Sequence, residues 1–206
     1  NADVIEKEFK TKKFIDCSVL LPKSVSNEDW LSFIKNMNDK RIQQSILTNV
    51  KIIDDIMVCN KEIDSYSASV IAEFFRYKLL YSGDSFSFET VMSHPSKLDF
   101  LKLAKEQGFK TYLYFICTQD PKINETRVAN RVKKGGHPVD VSKIEKRYFN
   151  SLQLLFDAFV LVDRAFVIDS SSNEIHRVFV EKNNEDIKVY GSEIPQWIND
   201  YLITNF

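Results

Sequence analysis

Apolar positions along the chain change their spacing repeatedly, and each change predicts an element. The first sixty residues read as polar and irregular, with two exceptions. Ser26 and Asp29 have the spacing of a capping box, and Trp30, Phe33, Ile34 and Met37 follow at helical intervals, predicting a helix over 27–47. Thr48 to Asn60 predicts two short strands around Asp54-Asp55. From Ser65 helix and strand alternate. Ala68, Ile71, Ala72, Phe75 and Leu79 mark one face of a helix that stops at Gly83. Phe86–Val91 predicts a strand, Ser96–Gln107 a helix closed by Gly108, and Thr111–Cys117 an unbroken apolar run of the kind a parallel strand shows when helices cover both faces.

Asn124–Lys134 predicts a short basic helix ending at Gly135, and Val141, Ile144, Tyr148, Leu152, Leu155 and Phe159 line a long helix after it. Arg164–Asp169 reads as a strand, Arg177–Tyr190 as a hairpin turning at residues 183–186, and Ile194–Leu202 as an amphipathic helix. The expected fold class is therefore α/β, a three-layer α/β/α arrangement on a mostly parallel sheet. No linker or repeat divides the chain, so residues 1–206 read as one domain with an insert at 10–62, a core at 65–172 and a C-terminal hairpin and helix at 173–206. Such sheets bind ligands at the carboxyl ends of their strands, which directs attention to the residues closing each strand.

Composition narrows the partners. Twenty-eight basic and 29 acidic residues leave a net charge of -1, so no overall field draws the protein to nucleic acid or an anionic membrane, although a local patch stays open. No apolar run approaches the roughly 20 residues of a membrane span, and the N-terminus has no signal-peptide pattern. Neither nucleic acid nor membrane is expected as a partner. Cys17, Cys59 and Cys117 are odd in number and far apart, which fits a reduced, cytoplasmic location. His94, His137 and His176 have no ligand spacing, and no metal site built from protein side chains alone is expected. The chain has five glycines where average usage gives about fourteen. Neither G-x-x-x-x-G-K-[ST] nor G-x-G-x-x-G occurs, which on its own argues against a nucleotide enzyme.

Two places carry candidate chemistry. Glu89 and Thr90 close the expected Phe86 strand, and Ser93 follows. They satisfy backbone groups and face water, or they line a ligand pocket, since a carboxylate at an apolar strand end needs a partner. Arg127 and Arg131 lie four apart on one helix face with Lys134 near them. These cations could clamp phosphoryl oxygens bidentately, or simply complement the helix dipole before Gly135. Arg147 and Arg76 carry the same two readings.

Taken together, Phe86-Ser87-Phe88-Glu89-Thr90-Val91-Met92-Ser93-His94, Ala104–Phe109, Arg127-Val128-x-x-Arg131-Val132-x-x-Gly135-Gly136-His137, Arg147-Tyr148 and Asp163–Phe166 resemble the zeta-toxin family of P-loop kinases. The resemblance covers residues 65–172 densely and recurs at Asn1-Ala2-Asp3, which looks like the family's N-A-D. It implies ATP-dependent phosphoryl transfer, with Mg²⁺, to a small hydroxyl-bearing acceptor such as a UDP-N-acetylsugar, and an antitoxin as protein partner. Asp3 would then accept the hydroxyl proton, with Arg131 and Arg147 steadying the transferring group. Glu89, Thr90, Ser93 and Arg76 would line the acceptor pocket, and Arg127, Arg131 and Lys134 would hold the nucleotide phosphates.

The chain departs from the family pattern in one respect: the Walker A loop, with its first strand, phosphate lysine and Mg²⁺-binding Ser/Thr, belongs ahead of residue 1. The sequence is therefore expected to be a fragment, with neither ATP nor Mg²⁺ bound normally and with two apolar sheet edges left by the missing strand. Two other expectations stand beside this one: a non-catalytic interaction module, and a nucleoside or antibiotic kinase of the same architecture.

Overall fold

A computed structural model describes residues 1–37, 49–172 and 177–206. The expected 27–47 helix beyond Met37, Thr48 at the start of the expected strand pair, and His176 lie outside these residues. The chain divides into two compact units, Asn1–Glu89 and Thr90–Phe206.

The first unit opens with α1 (Ala2–Lys12), where an irregular start was expected. Ile5 and Phe9, four apart, bury one face, and Glu6–Lys10 (2.6 Å) and Glu8–Lys12 (2.7 Å) form i,i+4 ion pairs. The Asn1 side chain accepts the Asp3 N–H at 2.9 Å, and acids early with lysines late match the helix dipole. Strands β1 (Phe14–Asp16), β2 (Val50–Ile53) and β3 (Ile56–Cys59) form an antiparallel sheet in the order β1-β3-β2. The β2–β3 turn puts Asp54 and Asp55 at φ 47° and 63°, as a two-residue hairpin requires. Helix α2 (Asn27–Lys35) has the reciprocal Ser26/Asp29 box, and α3 (Ser65–Ser82) starts on Asp64 and stops at Gly83, φ 85°. Trp30, Ile34, Met57, Ile71 and Phe74 are fully buried between them, with the Trp30 ring edge-on to Phe74 at 5.3 Å.

In the second unit, α4 (Ser96–Glu106) precedes β4 (Tyr112–Cys117), and α5 (Pro121–Lys133), α6 (Val141–Gln153) and α7 (Leu155–Leu161) lead to β5 (Arg164–Asp169). Strands β6 (Arg177–Asn183) and β7 (Asp186–Val189) and helix α8 (Gln196–Tyr201) follow. The sheet order is β4-β5-β6-β7. The single long helix expected over 141–159 is two helices, broken at Leu154 (φ -92°, ψ -4°).

The protein is thus mixed α/β, but its sheets are not mostly parallel. Among the described residues only β4–β5 pair in parallel, across the α5–α7 crossover, whereas β5–β6 and β6–β7 are antiparallel. A hairpin turning at Asn184 (φ 54°) returns the chain directly, without the crossover that a parallel neighbour needs. Phe86–Val91 lies outside both sheets. Its alternation does produce local extension, since the Phe86 and Phe88 rings stack at 6.2 Å, but a strand also needs a ladder to satisfy its backbone. Helices do not cover both faces of β4 either: Phe115 and Cys117 are buried, whereas Tyr112, Tyr114 and Ile116 are 51–62% exposed. Among the described residues no helix is long and apolar enough to cross a membrane.

Candidate functional site

The carboxyl ends of β4 and β5 lie side by side, with Cys117 opposite Asp169. Thr118 and Ser170, the residues that follow them, are both buried polar groups. Two helices attach to this rim. From α5, Arg127 donates from Nη1 to Ser170 Oγ at 3.2 Å and from Nη2 to the Ser170 carbonyl. From α6, Tyr148 donates its hydroxyl to the Thr118 carbonyl at 2.8 Å. Burial pushes that phenol well above its usual range, with Cys117 and Asp120 adding to the effect, so it stays a protonated donor. Asp169 accepts from Trp197 Nε1 at 2.8 Å and from the Ser171 N–H and hydroxyl at 2.9 Å, which fixes the end of β5 from the other side.

With Arg127 held by the sheet, the rest of α5 points its cations outward. Arg131, one turn on, and Lys134 at the C-cap are exposed, and with Arg127, Asn130, Gly135 and Gly136 they line an open concavity of about 570 Å³. The turn that closes it depends on Gly136: its N–H donates to the Arg131 carbonyl at 3.0 Å, and a Cβ there would meet Arg131 Cγ at 2.7 Å. Arg131 Nη2 also reaches the His137 carbonyl at 3.4 Å. Gly135, at φ 88°, supplies the left-handed residue of the turn. Three cations on one concave face, Arg127 pinned and Arg131 and Lys134 exposed, can bind an anion with several oxygens.

Arg147 is exposed on α6, one position before Tyr148. Ser93 meets the same helix, its carbonyl accepting from Asn150 Nδ2 at 3.4 Å. Thr90 is exposed, and its hydroxyl accepts the Met92 N–H at 3.3 Å, holding buried Met92 at φ 56°. That is a left-handed conformation which a long side chain adopts only under local constraint.

Asp3, Arg76 and Glu89 lie in the first unit. Asn1 links two of them: its amide donates to Glu89 Oε2 at 3.0 Å while its carbonyl oxygen accepts the Asp3 N–H. Glu89 is exposed, so the argument from a costly carboxylate at an apolar strand end does not apply to it. Arg76 packs over the Phe88 ring at 5.0 Å and meets Glu73 at 3.5 Å; burial lowers its pKa, an effect that Glu73 opposes.

Sequence reasoning missed Thr118, Ser170 and the anchoring role of Tyr148. The signal that finds them is the rule that residues closing parallel strands bear on ligands, which holds for β4 and β5 and not for Phe86–Val91. The buried thiols offer no nucleophile: burial pushes Cys17 to about 11 and Cys117 to about 12. Among the described residues no group of three His, Cys, Asp or Glu side chains could hold a metal.

No protein-family model matches the chain. Sixty-three residues, 31% of the chain, are 36% identical to an uncharacterized protein of Haemophilus influenzae strain Rd, covering 45% of that protein. The chain therefore spans less than half the length of this relative. No solved structure matches.

Proposed function

We propose that the protein is an ATP-dependent phosphotransferase of the zeta-toxin type, acting in the cytoplasm on a hydroxyl of a small acceptor such as a UDP-N-acetylsugar. The observation that supports this most is the Arg127–Ser170 anchor, which fixes a helix carrying Arg131 and Lys134 at the carboxyl end of a parallel strand pair. Phosphoryl transfer needs positioning and positive charge more than covalent chemistry, and this arrangement supplies both. Arg127, Arg131 and Lys134 fit the phosphate oxygens of ATP. Arg131 and Arg147 steady the transferring group. In the transfer the acceptor oxygen bonds to the γ-phosphorus as the bond to the β–γ bridging oxygen breaks, releasing ADP, and the hydroxyl proton passes to a carboxylate, the role that the family resemblance gives to Asp3. The resemblance gives the acceptor-binding role to Glu89, Thr90, Ser93 and Arg76.

The described residues offer no dedicated protein cage for Mg²⁺. No three-ligand cluster occurs among the described residues and the 206 residues contain no Walker A Ser/Thr, so no residue here is assigned to the metal. The test is an assay with MgATP and UDP-N-acetylglucosamine, run on the chain and on any longer natural form. Phosphosugar and ADP, with turnover abolished by Arg131→Ala, support the reading; no ADP from any form contradicts it.

A second reading, a non-catalytic module that binds an antitoxin-like protein, draws support from the exposed Tyr112, Tyr114 and Ile116 face of the edge strand β4. Under that reading Tyr114→Lys abolishes capture of the partner and Arg131→Ala leaves it unchanged.

A further inference from the structure

The charge of this protein is unevenly distributed. Residues 121–153, which are α5, the Gly135-Gly136 turn and α6, carry eight lysines and arginines against three acids, a net +5 in a chain whose total is -1. Lys122, Lys133, Lys134, Lys143, Lys146 and Arg147 are all exposed, and none forms an ion pair with a described residue. Helix α5 buries none of its thirteen residues. The phosphate clamp uses one side of α5 and accounts for Arg127, Arg131 and Lys134, but it gives no role to Lys133, Lys143 or Lys146.

We propose that the α5–α6 arm is a binding surface for the phosphodiester backbone of nucleic acid, held by charge and without base readout. The overall charge balance argues against such a partner, but a phosphate chain responds to the local field within about a Debye length of the arm, roughly 8–10 Å, and residues 121–153 carry a net +5. The pattern fits this partner better than two others. Protein interfaces are depleted in lysine at their centres and rely on apolar anchors. On α6, at 100° per residue, Lys143, Lys146 and Arg147 fall within an arc of about 100° that contains neither Val141 nor Phe149, the exposed apolar residues of that helix. A membrane-surface helix also needs an apolar face beside its cations, which the same separation denies. Lysines as point charges without apolar anchors suit phosphate contacts. This inference goes beyond the proposed phosphotransferase and does not rest on it.

The experiment is fluorescence anisotropy of the full chain with a labelled 20-nucleotide single strand and the matching 20-base-pair duplex, between 50 and 200 mM salt. Binding to either is expected at 50 mM salt, with a Kd of about 10⁻⁵ M or tighter and a log–log salt slope of about -2 to -4 for the single strand, as three to six phosphate contacts give. The triple variant Lys133→Glu, Lys143→Glu, Lys146→Glu should weaken binding more than tenfold, and the corresponding Gln triple should weaken it less but measurably. A charge-matched control, Lys23→Glu, Lys51→Glu, Lys61→Glu, should change it less than threefold. Tripolyphosphate binding at the clamp should survive the arm triple, separating the two surfaces. No binding at 100 μM protein, equal loss in the control, or tighter binding to polyglutamate or phosphatidylserine vesicles would overturn the proposal.

Discussion

Replacing Lys182 with Met removes the group that closes the C-terminus of α7. Lys182 is 8% exposed, and its ammonium donates to the carbonyls of Phe159 (2.9 Å), Val160 (2.6 Å) and Val162 (2.8 Å). All three donors are used, on carbonyls that the helix itself cannot satisfy. Burial lowers the lysine pKa, so part of the gain offsets desolvation. Met fills much the same space without a donor and leaves the Phe159 and Val162 carbonyls buried. At about 1–3 kcal/mol for each of the two stranded acceptors, less about 1 kcal/mol for the more favourable burial of Met, the expected loss is about 1–5 kcal/mol. Urea denaturation of wild type and Lys182→Met, followed by circular dichroism, reads this as a lower midpoint with an unchanged slope. The consequence reaches the candidate site, because Val162 leads directly into β5, whose far end carries Asp169 and Ser170. A loss below about 0.5 kcal/mol would refute the capping account and assign Lys182 to solvent-like surroundings.

Other predictions bear on separate parts of the protein. Gly136→Ala should push Arg131 out of place, since the new Cβ would meet Arg131 Cγ at 2.7 Å, weakening tripolyphosphate binding in calorimetry while thermal stability stays nearly unchanged. Burial works against ionisation of Asp163, but hydrogen bonds from the Thr111 N–H and hydroxyl and from Lys105 outweigh it and hold its carboxyl below the usual value. Its stabilising contribution is then fully present above the unfolded-state pKa near 3.8 and is lost as pH falls through the lower folded-state value; acid titration of Asp163→Asn should lack that component. Asp55→Ala should destabilise the first unit by about 1–3 kcal/mol, because Asp55 accepts from the Val25 N–H at 2.6 Å and Ser24 Oγ at 2.8 Å; a denaturation midpoint equal to wild type would count against this.

Much of the fold could be read where a local signal and a tertiary need coincide. Ser26 with Asp29, Gly83 after Leu79, and the Asp54-Asp55 turn each encode their own geometry, and each forms as expected. The failures have physical causes. Alternating Phe86 and Phe88 make an extended chain, but strand status depends on a neighbour that no local pattern contains. Helix α1 leaves little trace in the apolar pattern because only Ile5 and Phe9 mark its buried face, while its support comes from ion pairs between charged residues that read as polar irregularity. Unbroken apolar strands suggest cover on both faces and hence a parallel sheet, yet the outward side of β4 is tyrosine and isoleucine left exposed. The basic clamp was visible as Arg127, Arg131 and Lys134 at helical spacing. Its attachment was not, because Ser170 lies 43 residues away and only the β4–β5 pairing brings it beneath Arg127.

The central claim is that the cations of α5, held at the strand ends by Arg127, bind phosphoryl groups. Calorimetric titration of the chain with inorganic tripolyphosphate at 100 mM salt, in wild type, Arg131→Ala and Arg127→Ala, tests it most directly. Saturable binding by wild type, at least tenfold weaker in both variants, is the predicted result. Binding that is absent from wild type, or equal in all three proteins, would contradict it.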